Sequence, residues 1–307
     1  FTFYNLLWWI GGGEVWPFNA VKKLYNSVMV RSDIVIANSD WTANLIRARY
    51  GTPDEKLVVI PRGIDPAVFD REAVAPERTD QLRKLWGVPD GTALVFVPAR
   101  LAPRKGQAVV IDAVAELVRS GVVKRPFVVI FAGSAQGRAD YEAELDAHIA
   151  SAGLTGVARR VGHLDDVAAG YAIADVTVVP SIEPEAFGRT SAEAQSSGCP
   201  VITSDIGATP ETILAAGRVP PGTETGWVFR NRDAADLART LAAALSVEGP
   251  ERAALGARAR AHAASRFTLF NLQRDTLAVY DRLLGTTLSP TFARYRANET
   301  RISRPSP

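Results

Sequence analysis

The sequence is poor in the residues that build disulfides and metal sites: it holds one cysteine and three histidines in 307 residues. A lone thiol closes no intrachain disulfide. Cys199, in the apolar turn between Gly198 and Pro200, reads as a small core residue. His148, His163 and His262 are scattered, so no group has metal-ligand spacing. There is also no Asp-x-Asp pair to bridge a metal to a diphosphate; Glu183 and Glu185 are the nearest substitute, and no metal or cofactor is expected. The segment Gly133-Ser134-Ala135-Gln136-Gly137 falls short of the G-x-G-x-x-G pattern, which excludes a nicotinamide dinucleotide. A net charge of +2 gives no reason to expect nucleic acid. No apolar run reaches the ~18 residues of a spanning helix, and the N-terminus lacks the basic start and cleavage site of a signal peptide. A cytoplasmic protein is expected. Because the chain opens on FTFYNLLWWI without Met, its natural N-terminus is expected further upstream.

What is present is an ordinary globular composition, 47% apolar and 22% charged, long enough for two domains with real cores. Trp8, Trp9 and Trp16 surround Gly11, Gly12 and Gly13. They read either as a strand and turn that bury their rings or as a loop touching membrane or acceptor. Residues 20–30 follow as an amphipathic helix with Lys22 and Lys23 on its polar face, a solvated face or a peripheral membrane contact. Short apolar strands are expected at 32–39 and 57–60, and residues 65–90 read as a charge-rich linker or lid.

From Thr92 onward the pattern becomes regular. Apolar strands at 93–98, 127–132, 157–161, 176–180, 201–204 and 227–229 alternate with helical periodicity, as in Val110, Val114, Leu117 and Val118. Such alternation predicts an α/β fold of βαβ units, a parallel sheet with helices on both faces. Ligands in such sheets bind beyond the carboxyl ends of the strands. Two loops emerge there. After 93–98 comes Arg100-Leu101-Ala102-Pro103-Arg104-Lys105-Gly106, three cations in six residues leading into a helix at Gln107. This suits a diphosphate clamp, with Arg as a fork and Lys as a point charge, although basic strand-to-helix turns are also common as structure. After 176–180 comes IEPEAFGRTSAEAQ, in which Glu185 and Glu193 are separated by seven residues. Its helix start at Gly188, Arg189 and Thr190 offers main-chain N–H groups to an anion. Both carboxylates also have readings without a ligand. Thr190-x-x-Glu193 matches a capping box, and Glu185 matches a solvated acidic loop.

The segment PSIEPEAFGRTSAEAQSSGCPVITSDIGATPE resembles the signature of retaining glycosyltransferase family 4, of the bacterial group 1 type, with an E-x7-E pair, F-G at the helix start, a G-x-P-V strand and a G-x-x-P-E turn. PARLAPRKGQ resembles the family's phosphate clamp, and TGWVFRNRDAADLARTL its closing strand and helix. VIANSDWTANLI and VIPRGIDPAVF are similar to the end of its acceptor domain. The resemblance implies a GT-B fold, two Rossmann-like domains facing a cleft. The N-terminal one is expected to be incomplete: a partial acceptor domain and linker at 1–90, a nucleotide-sugar donor domain at 91–266, a helix at 267–285 crossing back to the first domain, and a flexible tail at 286–307.

It also implies roles. Arg100 and Lys105 would neutralise the diphosphate of the donor, Glu185 would contact donor-sugar hydroxyls, and Glu193 the ribose hydroxyls. Phe187, Gly188, Arg189 and Thr190 would surround the phosphates, and the segment from Arg160 to Gly162 would lie near the base. The implied reaction transfers a sugar from a nucleoside diphosphate sugar to a cell-surface glycan or lipid-linked acceptor at the inner face of the membrane, as in lipopolysaccharide or exopolysaccharide assembly. Two departures matter. Ala99 stands where the family usually has Gly, and Tyr4 stands where many members carry a histidine near the reacting sugar. The second, together with the expected incompleteness of the acceptor domain, motivates the alternative of a non-catalytic nucleotide-sugar-binding protein. A sugar-nucleotide epimerase is a further alternative on the same scaffold.

Overall fold

The computed structural model describes residue 24 and residues 26–302, with side chains to residue 298. Tyr4, the Trp-rich segment and residues 20–23 and 25 of the helix expected at 20–30 lie outside the described residues. The chain divides into two compact units, one of Phe1–Ile64 with Arg266–Pro307, the other Asp65–Ser265.

In the first unit β1 (Val35–Ala37) runs parallel to β2 (Leu57–Val59), with Val35 opposite Leu57. Between them lies α1 (Asp40–Tyr50), started by Ser39, whose hydroxyl accepts from the Thr42 amide at 3.0 Å, and stopped by Gly51 in the left-handed region. Val35, Ala37, Ala43 and Ile46 form the buried seam. Residues after 266 join this unit through Ile64: its N–H donates to the Phe267 carbonyl at 2.7 Å, and its carbonyl accepts from Leu269 at 2.9 Å. Gly63 permits the approach, since a Cβ there would sit 2.6 Å from the Leu269 Cα.

The second unit holds a six-stranded, all-parallel sheet. Its charge-rich opening is not a linker. The segment from 65 to 90 contains α2 (Pro76–Leu85), and Trp86 behind it is buried and stacks on Phe96 at 5.7 Å. Only Leu82 of this helix is buried, so the helical period was faint, and one aromatic anchors it instead. The sheet follows as β3 (Ala93–Pro98), α3 (Gln107–Ser120), β4 (Phe127–Ala132), α4 (Ala139–Ser151), β5 (Ala158–Gly162), α5 (Val167–Ile173), β6 (Val176–Val179), α6 (Arg189–Ser196), β7 (Val201–Ser204), β8 (Gly226–Phe229), α7 (Ala234–Ser246) and α8 (Gly249–Arg266).

Strands β3 and β4 are apolar runs without alternation, β6 and β7 add threonine and serine, and all four are buried almost throughout, because helices cover both faces. The spatial order is β5-β4-β3-β6-β7-β8. The chain therefore runs outward from β3 through β4 to β5, then returns to the middle at β6 and runs outward the other way. β3 and β6 flank that reversal, where connections leave in opposite directions and open a crevice at the carboxyl edge.

Back in the first unit, α9 (Leu269–Leu284) is followed by α10 (Leu288–Ile302). Within the span expected as a flexible tail at 286–307, residues 288–302 form a helix, and residues 303–307 lie outside the described residues. The start of α10 is held by a residue of the preceding helix: Asp281 accepts from the Leu288 amide at 2.6 Å, the Ser289 amide at 2.8 Å and the Thr286 hydroxyl at 2.6 Å. Phe270 and Phe292 then stack at 5.6 Å. Among the described residues, no helix is long and apolar enough to cross a membrane.

Candidate functional site

At the carboxyl end of β3 the chain turns through Ala99, Arg100, Leu101 and Ala102 into a short 3-10 turn, Pro103–Lys105, and Gly106 then starts α3. At the end of β6 it turns through Pro180 to Glu185. These loops meet main chain to main chain: a Cβ on Gly106, whose φ is 72°, would lie 1.9 Å from the Pro180 carbonyl oxygen, and the Ile182 amide donates to the Arg104 carbonyl at 2.9 Å. Only glycine fits at 106.

That approach brings Lys105 and Glu185 together. Lys105 Nζ lies 2.6 Å from Glu185 Oε1, and the side chains are 16% and 18% exposed, so the pair is sheltered yet reachable. The Ser181 hydroxyl donates to the same oxygen. Ser181 is itself held by Ser204, whose hydroxyl donates to the Ser181 carbonyl at 2.6 Å from the end of β7. Behind Glu185, Gly207 packs so closely that a Cβ would sit 2.6 Å from the Glu185 nitrogen. Burial alone would raise the Glu185 carboxyl; the Lys105 ammonium, the Ser181 hydroxyl and Arg104 override it and hold the carboxyl below its ordinary value. Glu185 is therefore not a solvated loop acid. It is a fixed carboxylate with both donors on Oε1.

Arg100 leaves the same β3 loop toward β4. Its guanidinium donates to Gln136 Oε1 at 3.0 Å, and its carbonyl accepts from the fully buried Gln107 at 2.9 Å. Arg104, between Arg100 and Lys105, is partly buried; desolvation lowers its pKa despite the attraction of Glu185.

Glu193, one turn into α6, receives Arg189 Nε at 2.6 Å and the Tyr171 hydroxyl at 3.1 Å, and its side chain is 12% exposed. The capping box fails here. Gly188, at φ 116°, takes the N-cap position and provides no side chain, so Thr190 lies inside the helix and Glu193 turns to Tyr171 and Arg189. Burial, and then the charge of Glu193, raise the Tyr171 hydroxyl well above its ordinary range, so it stays a donor. Phe187 is buried under this turn. Arg189 is 59% exposed.

Arg160 does not join these groups. Its guanidinium forks onto Asp146 of α4, Nε to Oδ1 at 2.7 Å and Nη2 to Oδ2 at 2.5 Å, with Glu142 at 3.0 Å. It ties β5 to its own preceding helix. Gly162, at φ 73°, remains at the sheet edge, its carbonyl accepting from the Gly133 amide at 2.7 Å. Among the described residues no three His, Cys, Asp or Glu groups are placed to hold a metal ion.

The family description "Glycosyl transferases group 1" matches residues 78–262, the span that carries the sheet and both loops. The chain belongs to the group 1 glycosyltransferases. The description "Glycosyltransferase Family 4" matches residues 1–68. Among curated members of this glycosyltransferase group, the D-inositol 3-phosphate glycosyltransferase of Stackebrandtia nassauensis is 31% identical over 89% of this chain and 59% of its own length. The protein of that name from Corynebacterium diphtheriae is 30% identical over 94% of this chain and 65% of its own. The chain thus spans roughly three fifths of the length of the curated relatives it matches. Among solved structures, a glycosyltransferase from Rickettsia africae aligns with TM-score 0.77 and 27% identity over 88% of this chain and 68% of that one. HepE of Anabaena, solved in complex with UDP and glucose, aligns with TM-score 0.71 and 25% identity over 86% of this chain and 68% of its own. The parallel α/β units are those of the GT-B glycosyltransferases.

Sequence spacing singled out Glu185, Lys105 and Glu193 as candidates but gave no sign of the side chains that hold them. Ser181, Ser204, Tyr171 and Gln136 come from four different segments, and no local period marks them. The one available signal was the serine four residues before Glu185 on the same loop.

Proposed function

We propose that this chain carries the donor site of a retaining glycosyltransferase that takes a nucleoside diphosphate sugar. The observation that carries the reading is the Lys105–Glu185 pair at the crevice between β3 and β6. The diphosphate takes the Lys105 ammonium and the Arg100 fork, which offset the charge that grows as the leaving group departs and need no metal for that task. Glu185 then accepts from hydroxyls of the donor sugar, and Glu193 from those of the ribose. The first-turn amides at Gly188, Arg189 and Thr190 face the phosphates, with Phe187 packing the turn from below. Since the Arg160 side chain is engaged by α4, the base meets the main chain near Gly162. In the transfer the bond from the anomeric carbon to the diphosphate oxygen breaks and a bond to the acceptor oxygen forms on the same face. Nucleoside diphosphate and the acceptor's proton leave.

For the acceptor we favour a hydroxylated partner of one of two kinds. One is a cell-surface glycan or lipid-linked saccharide, met in the cytoplasm at the inner face of the membrane. The other is a small phosphorylated cyclitol, supported by the printed names of the curated relatives. Nucleotide release from a panel of nucleotide sugars, with inositol 3-phosphate or a lipid-linked saccharide as acceptor, tests the reading. Release that depends on donor and acceptor and disappears in Glu185→Ala supports it. Donor binding without release under any acceptor would instead favour a non-catalytic sugar-nucleotide binder, and equal release by Glu185→Ala would refute the assigned role.

A further inference from the structure

The opposite edge of the sheet, where the strands begin, carries a second polar cavity of about 210 Å³. It lies among Ala174 and Asp175, which lead into β6, Ser197 to Pro200, which lead into β7, and one face of α8. Its floor is main chain at close quarters: a Cβ on Gly256 of α8 would lie 2.5 Å from the Gly198 carbonyl oxygen, and Gly198 has φ 68°. Three guanidiniums line it, Arg71, Arg252 and Arg260.

Their carboxylate contacts are uneven. Asp175, 9% exposed, serves several donors at once: it accepts from Arg252, from Arg125 at 3.2 Å and from the Leu94 amide at 2.8 Å. Arg260 leans outward to Glu72 at 3.0 Å and Asp70 at 4.0 Å, both exposed. Arg71 is half-buried, and its Nη2 donates to the carbonyls of Ala172 and Ala174; among the described residues it has no carboxylate in ion-pair contact. Nor does the nearby thiol serve it as a counterion, because burial pushes Cys199 up to about 11 and leaves it neutral. Desolvation, with repulsion from Arg252 and Arg260, lowers the Arg71 pKa despite the attraction of Asp175. A sheltered cation with no carboxylate in ion-pair contact, beside two more cations and a preformed cavity, is an arrangement that can hold an oxyanion.

We propose that this niche binds a dianionic phosphate, either free phosphate or the monoester of a small metabolite, at a site separate from the donor loops. The cavity is below the roughly 300–1,000 Å³ of pockets for drug-sized ligands, which restricts it to such small anions. Arg252 and Arg260 meet the phosphate from α8, and Arg71 meets it from the turn that precedes α2.

Calorimetric titration with inorganic phosphate and with glycerol 3-phosphate, at ionic strength matched with chloride, tests this. The proteins are the unaltered chain, Lys105→Met and the Arg252→Gln/Arg260→Gln double variant. Arg71 is left in place because it also holds two main-chain carbonyls. The expected result is equal binding by the unaltered chain and Lys105→Met, and binding weakened about tenfold or more in the double variant. Tighter binding of glycerol 3-phosphate than of phosphate identifies a metabolite monoester, and the reverse identifies free phosphate. Equal affinity in the double variant, loss in Lys105→Met, or no heat beyond that of chloride overturns the proposal. Should the double variant lose its near-ultraviolet circular dichroism, Arg260→Gln alone, altering a side chain 38% exposed, provides the same comparison.

Discussion

The two edges of the six-stranded sheet handle a carboxylate differently. At the amino edge Asp175 is enclosed and accepts from a main-chain amide and two arginines, so it ties β3, β6 and α8 together. At the carboxyl edge Glu185 meets one lysine and one serine, both on Oε1, and the pair stays partly open to solvent. The first arrangement is saturated and suits architecture. The second keeps a carboxylate charged and placed while leaving it able to exchange partners, as ligand binding requires.

The largest effect in this comparison is expected from Asp175→Asn. Removing the charge strands Arg252 and leaves Arg125 only the exposed Glu248, and the loss in stability, read by urea unfolding, should be about 3 kcal/mol. A loss under 1 kcal/mol would show that the amino edge is no more saturated than the other. Lys105→Met should invert the pattern. Its unfolding free energy should change less than that of Asp175→Asn, while nucleotide release falls by roughly 10²–10³-fold, because the cation that meets the leaving group is gone. A large stability loss with turnover retained would place Lys105 among the structural ion pairs.

The acid limb of the stability curve sharpens the comparison further. The Glu185 carboxyl is held below its ordinary value of 4.5, first against burial and then by Lys105, Ser181 and Arg104. Its contribution is therefore present above that value and disappears as pH falls through the lower folded-state value. Unaltered protein should lose more stability than Glu185→Gln as pH drops below 4.5, and parallel curves would contradict the ion pair. Tyr171→Phe should have the smallest effect. Loss of its bond to Glu193 is worth about 1 kcal/mol, read as a several-fold weaker affinity for nucleotide with little change for the free sugar.

How far the sequence reveals this molecule follows the same division. The β3 and β4 strands are legible because each is a continuous apolar run buried on both faces, and β6 because it is β-branched throughout. Their order is not, since nothing in one strand states that β6 returns beside β3. The helix α10 escaped notice because Asp281, from the previous helix, caps it, and α2 because a single tryptophan anchors it. Glu193 showed the limit of local motifs: a glycine at positive φ displaced Thr190 from the cap, and Tyr171, twenty-two residues away, supplied the partner. Arg160 showed the converse, a cation at the right edge already committed to Asp146 and Glu142. Residue types and spacing find charged groups at an edge. Which of them are spent on structure depends on helices that pack from elsewhere.

The central claim is that Lys105 and Glu185 divide a nucleotide sugar between them, phosphate to one and sugar to the other. Calorimetric titration of UDP and UDP-glucose into the unaltered chain, Lys105→Met and Glu185→Ala tests it most directly. The account predicts that Lys105→Met weakens both ligands about equally, whereas Glu185→Ala weakens UDP-glucose and leaves UDP nearly unchanged. Both ligands binding to both variants as they bind to the unaltered chain would contradict it.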